Sequence, residues 1–173
     1  YKFSEKPKNP DSTKASMGIY VFTKEKLVQY LRDDAADPES SNDFGKNIIP
    51  NMLAAGEKMY AYSFEGYWKD VGTISSLWEA NMNMLGDNPV LNLNDESWRI
   101  FSRYQNESPQ YVGPDANIEN CTITEGCEIR GTVINSVLGE GVKVMEGACV
   151  RDSVIMSRVT IGRDSVVEYS ILD

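Results

Sequence analysis

The stretch Gly66-Tyr67-Trp68-Lys69-Asp70-Val71-Gly72-Thr73 sets one carboxylate between an aromatic extended run and a glycine turn that opens a helix. In α/β proteins, ligands bind beyond the carboxyl ends of strands. A magnesium ion takes carboxylate, phosphate oxygens and water rather than nitrogen or sulfur. Asp70 offers one such ligand, and a second must come from elsewhere. From spacing alone, a turn-forming aspartate is the simpler account. Glu5-Lys6-Pro7 pairs a point positive charge, suited to a phosphate, with a carboxylate that accepts sugar hydroxyls. Its plain alternative is a surface ion pair before a turn. Ser16-Met17-Gly18 pairs a hydroxyl with a glycine that lets a ligand approach the backbone. Asp43 precedes a helix and is explained by capping alone, although its second oxygen can reach a ligand. Trp68 and Trp78 read as core as readily as ligand contacts.

The chain has no histidine, which removes the commonest general base and every Ser-His or Cys-His pairing within it. Its chemistry must run on carboxylates, lysine and an oxygen-ligated metal. The net charge of −9 repels nucleic-acid phosphates, so no nucleic-acid partner is expected and an anionic ligand needs locally placed cations. No apolar run approaches the roughly 20 residues of a membrane span, and no secretion signal is visible. Cys121, Cys127 and Cys149 fit no zinc spacing and read as small buried thiols of a cytoplasmic protein.

These residues need elements to position them. Ser16 to Phe22 is rich in β-branched and aromatic residues and predicts a strand. Thr23 is placed to cap a helix over Lys24 to about Asp33, and Asp34 to Asn42 reads as a loop. A second helix is expected from about Phe44 to Ala55, stopped at Gly56. Lys58–Phe64 and Tyr67–Val71 predict a hairpin. Thr73 caps a third helix, with Ile74, Leu77, Trp78, Met82 and Leu85 on one face. Val90 to Gln110, with Trp98, Ile100, Phe101 and Tyr104, reads as a linker that packs on something.

From Val112 the texture changes. Apolar residues beat at Val112, Ile118, Ile123, Ile129, Leu138, Val144, Val150, Ile155, Ile161 and Val167, mostly six apart. Ala116, Ala148 and Ser165 sit four after a beat, where a crowded corner needs a small residue. This is a hexapeptide repeat, the pattern of a parallel β-helix, and predicts roughly three coils of about 18 residues. The last coil ends at Asp173 with an uncovered edge, so truncation there or cover by another chain is expected.

Glu5-Lys6-Pro7, Ala15 to Tyr20, Asp43-Phe44-Gly45-Lys46-Asn47-Ile48-Ile49-Pro50, Tyr67 to Thr73 and then hexapeptides resemble, in this order, bacterial ADP-glucose pyrophosphorylases (glucose-1-phosphate adenylyltransferases). The resemblance implies an α/β fold: residues 1–88 as the C-terminal part of a Rossmann-like nucleotidyltransferase domain, 89–110 as a packed linker, and 111–173 as a left-handed parallel β-helix. It implies synthesis of ADP-glucose and pyrophosphate from ATP and α-D-glucose 1-phosphate, for glycogen. Lys6 would hold the sugar phosphate. Glu5, Ser16 and Asp43 would contact glucose, and Trp68 would border the sugar. Asp70 would be catalytic, as one of two aspartates that hold Mg2+. The family's glycine-rich nucleotide loop and its other metal aspartate are not in this sequence, so the chain alone is expected to be inactive. The family also implies a homotetramer or a hetero-oligomer with a regulatory subunit, and an allosteric site for an anionic metabolite. A non-catalytic regulatory homologue and a hexapeptide assembly module are the alternative readings. A hexapeptide acyltransferase is disfavoured, because those enzymes use a histidine base.

Overall fold

Inward-pointing residues at every fifth or sixth position dictate the larger part of the fold. The structure is a computed structural model and describes residues 3–101 and 106–173. The chain forms two compact units, one up to Phe64 and one from Glu65 to Asp173.

In the first unit, α1 spans Lys24–Ala36. Thr23 precedes it in extended conformation but makes no side-chain cap bond. Asp34 is buried near the helix end, where Ser40 Oγ (2.6 Å) and Asn42 Nδ2 (3.0 Å) donate to its carboxylate. The expected second helix begins as a π turn, Phe44–Ile48, and continues as α2, Ile49–Ala54. Pro50 cannot donate a backbone hydrogen bond, and the wider turn lets Ile49 N–H reach Phe44 O. Ile48, Ile49 and Met52 form the buried apolar core here. Lys26 Nζ and Tyr30 OH both donate to Glu57 Oε1, at 2.6 and 3.3 Å, and tie α1 to the segment after α2.

Two strand expectations are corrected. Residues 16–22, and both arms of the expected hairpin at 58–64 and 67–71, lie outside any β-ladder. A strand is defined by hydrogen bonds to a neighbour, and none of the described residues pairs with these segments. Val21 is accordingly 98% exposed and Tyr62 89%.

In the second unit, α3 spans Ile74–Met82. Thr73 and Ser76 form a reciprocal capping box at its start. The apolar residues expected to pack in the linker stand exposed, Trp98 at 82% and Phe101 at 88%. Tyr104 lies outside the described residues.

The repeat builds a parallel β-helix of twelve short strands in three four-stranded sheets. The first coil holds β1 (Tyr111–Val112), β2 (Asn117–Glu119) and β3 (Thr122–Ile123). The second holds β4 (Glu128–Ile129), β5 (Thr132–Ile134) and β6 (Val137–Leu138). The third holds β7 (Lys143–Val144), β8 (Cys149–Arg151) and β9 (Val154–Ile155). The fourth holds β10 (Thr160–Ile161), β11 (Val166–Glu168) and β12 (Ile171–Leu172). The count is thus four turns, not three. Paired residues are 17 apart, as in Tyr111↔Glu128, or 15 apart, as in Glu128↔Lys143. The shorter coil arises because Val133, an inward residue absent from the expected beat, follows Ile129 after only four positions. Ile129, Val133, Leu138, Val144 and Val150 are fully buried.

Two columns of polar residues run along one corner. Asn120, Asn135, Asp152 and Tyr169 all take positive φ, the sharp turn that Asn and Asp tolerate best. Asn120 Nδ2 donates to Asn135 Oδ1 at 2.8 Å, and Asn135 Nδ2 donates to Asp152 Oδ1. The next residue in each coil is Cys121, Ser136, Ser153 or Ser170. Ser136 and Ser153 are buried, and each accepts a backbone N–H from the following coil at 3.1 Å. Cys127 is buried as expected, whereas Cys121 and Cys149 are half-buried. Burial pushes the Cys121 and Cys127 thiols above their ordinary range.

Candidate active site

In the first unit two of the sequence-predicted residues, Glu5 and Asp43, line one cleft, and Ser16 and Lys6 stand beside it. Asp43 sits at the head of the π turn, where its Oδ1 accepts Lys46 N–H at 2.9 Å. That hydrogen bond holds its carboxyl below the usual range, against a smaller opposing effect of desolvation. Glu5 lies over Gly45. A Cβ added at Gly45 would meet Glu5 Oε2 at 2.3 Å and Asp43 Oδ1 at 3.3 Å, so both carboxylates flank this one glycine. Together with Gly18, Tyr20, Phe22, Leu27, Asn42 and Phe44 they line an open cleft of about 730 Å³.

Aromatic rings form one wall of that cleft. Tyr20 and Phe44 stack at 6.0 Å with an interplanar angle of 12°, and Phe22 leans on both. Ser16 reaches the cleft through Tyr20, because the two hydroxyls lie 2.9 Å apart. Ser16 Oγ also accepts Gly18 N–H at 3.2 Å. Lys6 takes positive φ and holds its ammonium 3.7 Å from Glu5 Oε1, with its side chain 90% exposed. Two carboxylates, a hydroxyl and a flat apolar wall suit a polyol, and an exposed ammonium beside them suits its anionic substituent.

Asp43 carries a testable pH signature. Its folded pKa lies below the ordinary 3.8, so its contribution to stability is complete above that value. The contribution is lost as pH falls through the lower folded value. Asp43→Asn keeps a capping oxygen and removes the titration. Urea midpoints at acid and neutral pH are expected to fall less on acidification in the variant than in the parent. Equal acid sensitivity would count against the assignment.

The second unit holds Trp68 and Asp70. Burial alternates along residues 67–70. Tyr67 and Lys69 are half-buried and turn to α3: Asn83 Nδ2 donates to Tyr67 OH at 3.1 Å, and Lys69 Nζ pairs with Glu79. The Glu79 hydrogen bond pushes the Lys69 ammonium pKa up. Trp68 and Asp70 therefore share the opposite, exposed face. Asp70 Oδ1 accepts Gly72 N–H at 2.9 Å, so the turn-forming role is real, and its other oxygen is not engaged by that turn. The donor type fits a hard cation. Among the described residues, no three His, Cys, Asp or Glu side chains cluster as a complete cage. Asp70 fits a site in which phosphate oxygens and water complete the shell.

Tyr20, Phe44 and Gly45 were missed as site residues. Their one signal was adjacency to Ser16 and Asp43, which did not reveal that the rings stack.

Residues 1–86 match the nucleotidyl transferase family model, and residues 109–173 match the model described as GlmU-like, C-terminal hexapeptide. A glucose-1-phosphate adenylyltransferase from Desulforamulus reducens is 53% identical over 171 residues, covering 99% of this chain and 43% of that protein. The enzymes of the same name from Bacillus cereus ATCC 14579 and Bacillus mycoides are each 54% identical over 171 residues, covering 99% of this chain and 46% of theirs. Over the stretch it covers, the chain is similar to the glucose-1-phosphate adenylyltransferases. It spans less than half the length of these relatives. The glucose-1-phosphate adenylyltransferase likeness takes in the cleft of the first unit, the Trp68–Asp70 face and the β-helix.

Proposed function

We propose that the chain is part of a glucose-1-phosphate adenylyltransferase that converts ATP and α-D-glucose 1-phosphate to ADP-glucose and pyrophosphate, in glycogen biosynthesis. Residues 1–88 are then the C-terminal part of its nucleotidyltransferase domain. The observation that carries this reading is the pairing of Glu5 and Asp43 over Gly45 beside the stacked Tyr20 and Phe44. A hexose needs such acceptors for its hydroxyls and such a wall for its C–H face.

Each residue then has one task. Glu5 and Asp43 accept sugar hydroxyls, and Ser16, held by Tyr20, adds a third polar contact. The exposed Lys6 ammonium neutralises the sugar phosphate, which is the attacking group. Trp68 borders the sugar, and Asp70 is one ligand of Mg2+. When bound, the magnesium neutralises charge on the phosphates. Positioning and charge neutralisation supply most of the rate in transfers of this kind. On this reading the 173-residue chain alone shows no turnover, because it offers a single metal carboxylate. The enzyme works in the cytoplasm as a homotetramer or with a regulatory subunit, and its β-helix offers faces for assembly and for an anionic effector.

The test is to complete the chain with the remaining length of the Bacillus cereus relative and assay pyrophosphate release. Turnover is expected with glucose 1-phosphate and ATP. Lys6→Ala is expected to raise KM for glucose 1-phosphate about 10- to 100-fold, the loss of one charge-assisted contact. A folded chimera without turnover would overturn the reading.

A further inference from the structure

Helix α3 is held at both ends of a chain of contacts that leads from Asp70 to the β-helix. On the Asp70 side, the segment is latched by Asn83 to Tyr67 OH, by Lys69 to Glu79, and by the Thr73 capping box that starts the helix three residues after Asp70. On the other side stands Trp78. Its Nε1–H donates to Asp152 O at 2.7 Å, and its ring lies 6.3 Å from Tyr169. Asp152 and Tyr169 belong to consecutive coils and occupy the positive-φ corner column described above. Asp152 is itself fixed by Asn135 Nδ2. The acceptor that Trp78 uses is therefore a backbone carbonyl pinned by the coil. No residue of α3 is fully buried, so the helix has little apolar anchorage of its own, and this one directional bond is disproportionately important.

We infer that Trp78 is a positioning residue for Asp70: it uses the β-helix corner at Asp152 and Tyr169 as a fixed base for α3, and α3 in turn sets the Lys69-Asp70 turn. This rests on the role assigned to Asp70 above. It makes the β-helix a mechanical part of the site, in addition to any part it plays in assembly. Lys69 and Glu79 transmit the position, because Tyr67 and Lys69, on either side of Trp68 and next to Asp70, are both tied to α3 or the residue that follows it.

Two variants separate the parts of the contact. Trp78→Phe keeps a ring beside Tyr169 and loses the donor, whereas Trp78→Ala loses both. The first readout is amide hydrogen exchange in the 173-residue chain. Exchange at residues 70–80 is expected to quicken about five- to tenfold in Trp78→Phe, and more in Trp78→Ala, while β4–β9 keep their protection. The second readout is kinetic, in the completed enzyme. The Mg2+ concentration for half-maximal rate is expected to rise and kcat to fall about tenfold, with KM for glucose 1-phosphate unchanged. Unchanged exchange at 70–80 overturns the anchoring, whatever the enzyme does. Quickened exchange with unaltered kcat and Mg2+ dependence overturns the positioning role. If the unmutated completed enzyme is inactive, the assignment of Asp70 fails, and the positioning role falls with it even where exchange quickens.

Discussion

Asp70→Asn is expected to lower kcat of the completed enzyme about 10²- to 10³-fold while the chain folds as before. Asparagine keeps a side-chain oxygen for Gly72 N–H, so the turn into α3 survives. What disappears is the negative charge that a hard cation requires. KM for glucose 1-phosphate is expected to stay within about twofold, because the sugar contacts are assigned to Glu5, Ser16 and Asp43. Steady-state rates across a magnesium titration check this, with circular dichroism to confirm folding. A variant with the parental rate would reduce Asp70 to the turn residue that its spacing first suggested.

The largest stability effect is expected in the second coil. Leu138 has no exposed surface and stacks between Ile123 and Ile155, its register partners in neighbouring coils. Leu138→Ala removes apolar contact on both sides and is expected to cost about 3 kcal/mol, from lost transfer energy and the cavity left behind. Val112 begins a different stack, on the sheet of β1, β4, β7 and β10; it is 51% exposed and, among the described residues, has a register partner, Ile129, on one side only. Val112→Ala is expected to cost under about 1 kcal/mol. Urea unfolding of the 173-residue chain measures both. Equal costs would contradict a stack stabilised coil by coil through nearest neighbours.

The β-helix was legible because its rule is local. An inward residue at Ile118 or Ile161 announces itself by spacing, and no distant contact is needed to recognise it. The coil count was less legible, because Val133 falls four residues after Ile129 and breaks the beat. The Asn120, Asn135, Asp152 and Tyr169 column was visible in principle, as a polar or bulky residue before Cys or Ser in every coil. Its members differ in type, from Asn and Asp to Tyr, so no single residue class marks it. The strands expected at 16–22 and 58–64 failed for the opposite reason. Their composition states a preference, but pairing depends on neighbours that the local sequence does not supply. At the site, Asp43 and Asp70 were placed correctly on turns, since capping and Asx geometry are written within three residues. The Tyr20–Phe44 stack, the approach of Glu5 to Gly45 and the Trp78 anchor join residues 24 to 74 positions apart, beyond the reach of any motif.

The shortened second coil has a practical consequence. Between β4 and β5 only Arg130 and Gly131 turn the chain, and a Cβ on Gly131 would strike Ala148 O at 2.4 Å and Met145 O at 2.7 Å. That edge of the prism is flush, with no room for a graft. A designer wishing to display a foreign peptide on this scaffold should choose the roomier bend at Gly162, where an added Cβ meets only Ser165 Oγ at 3.6 Å, and leave this seam sealed.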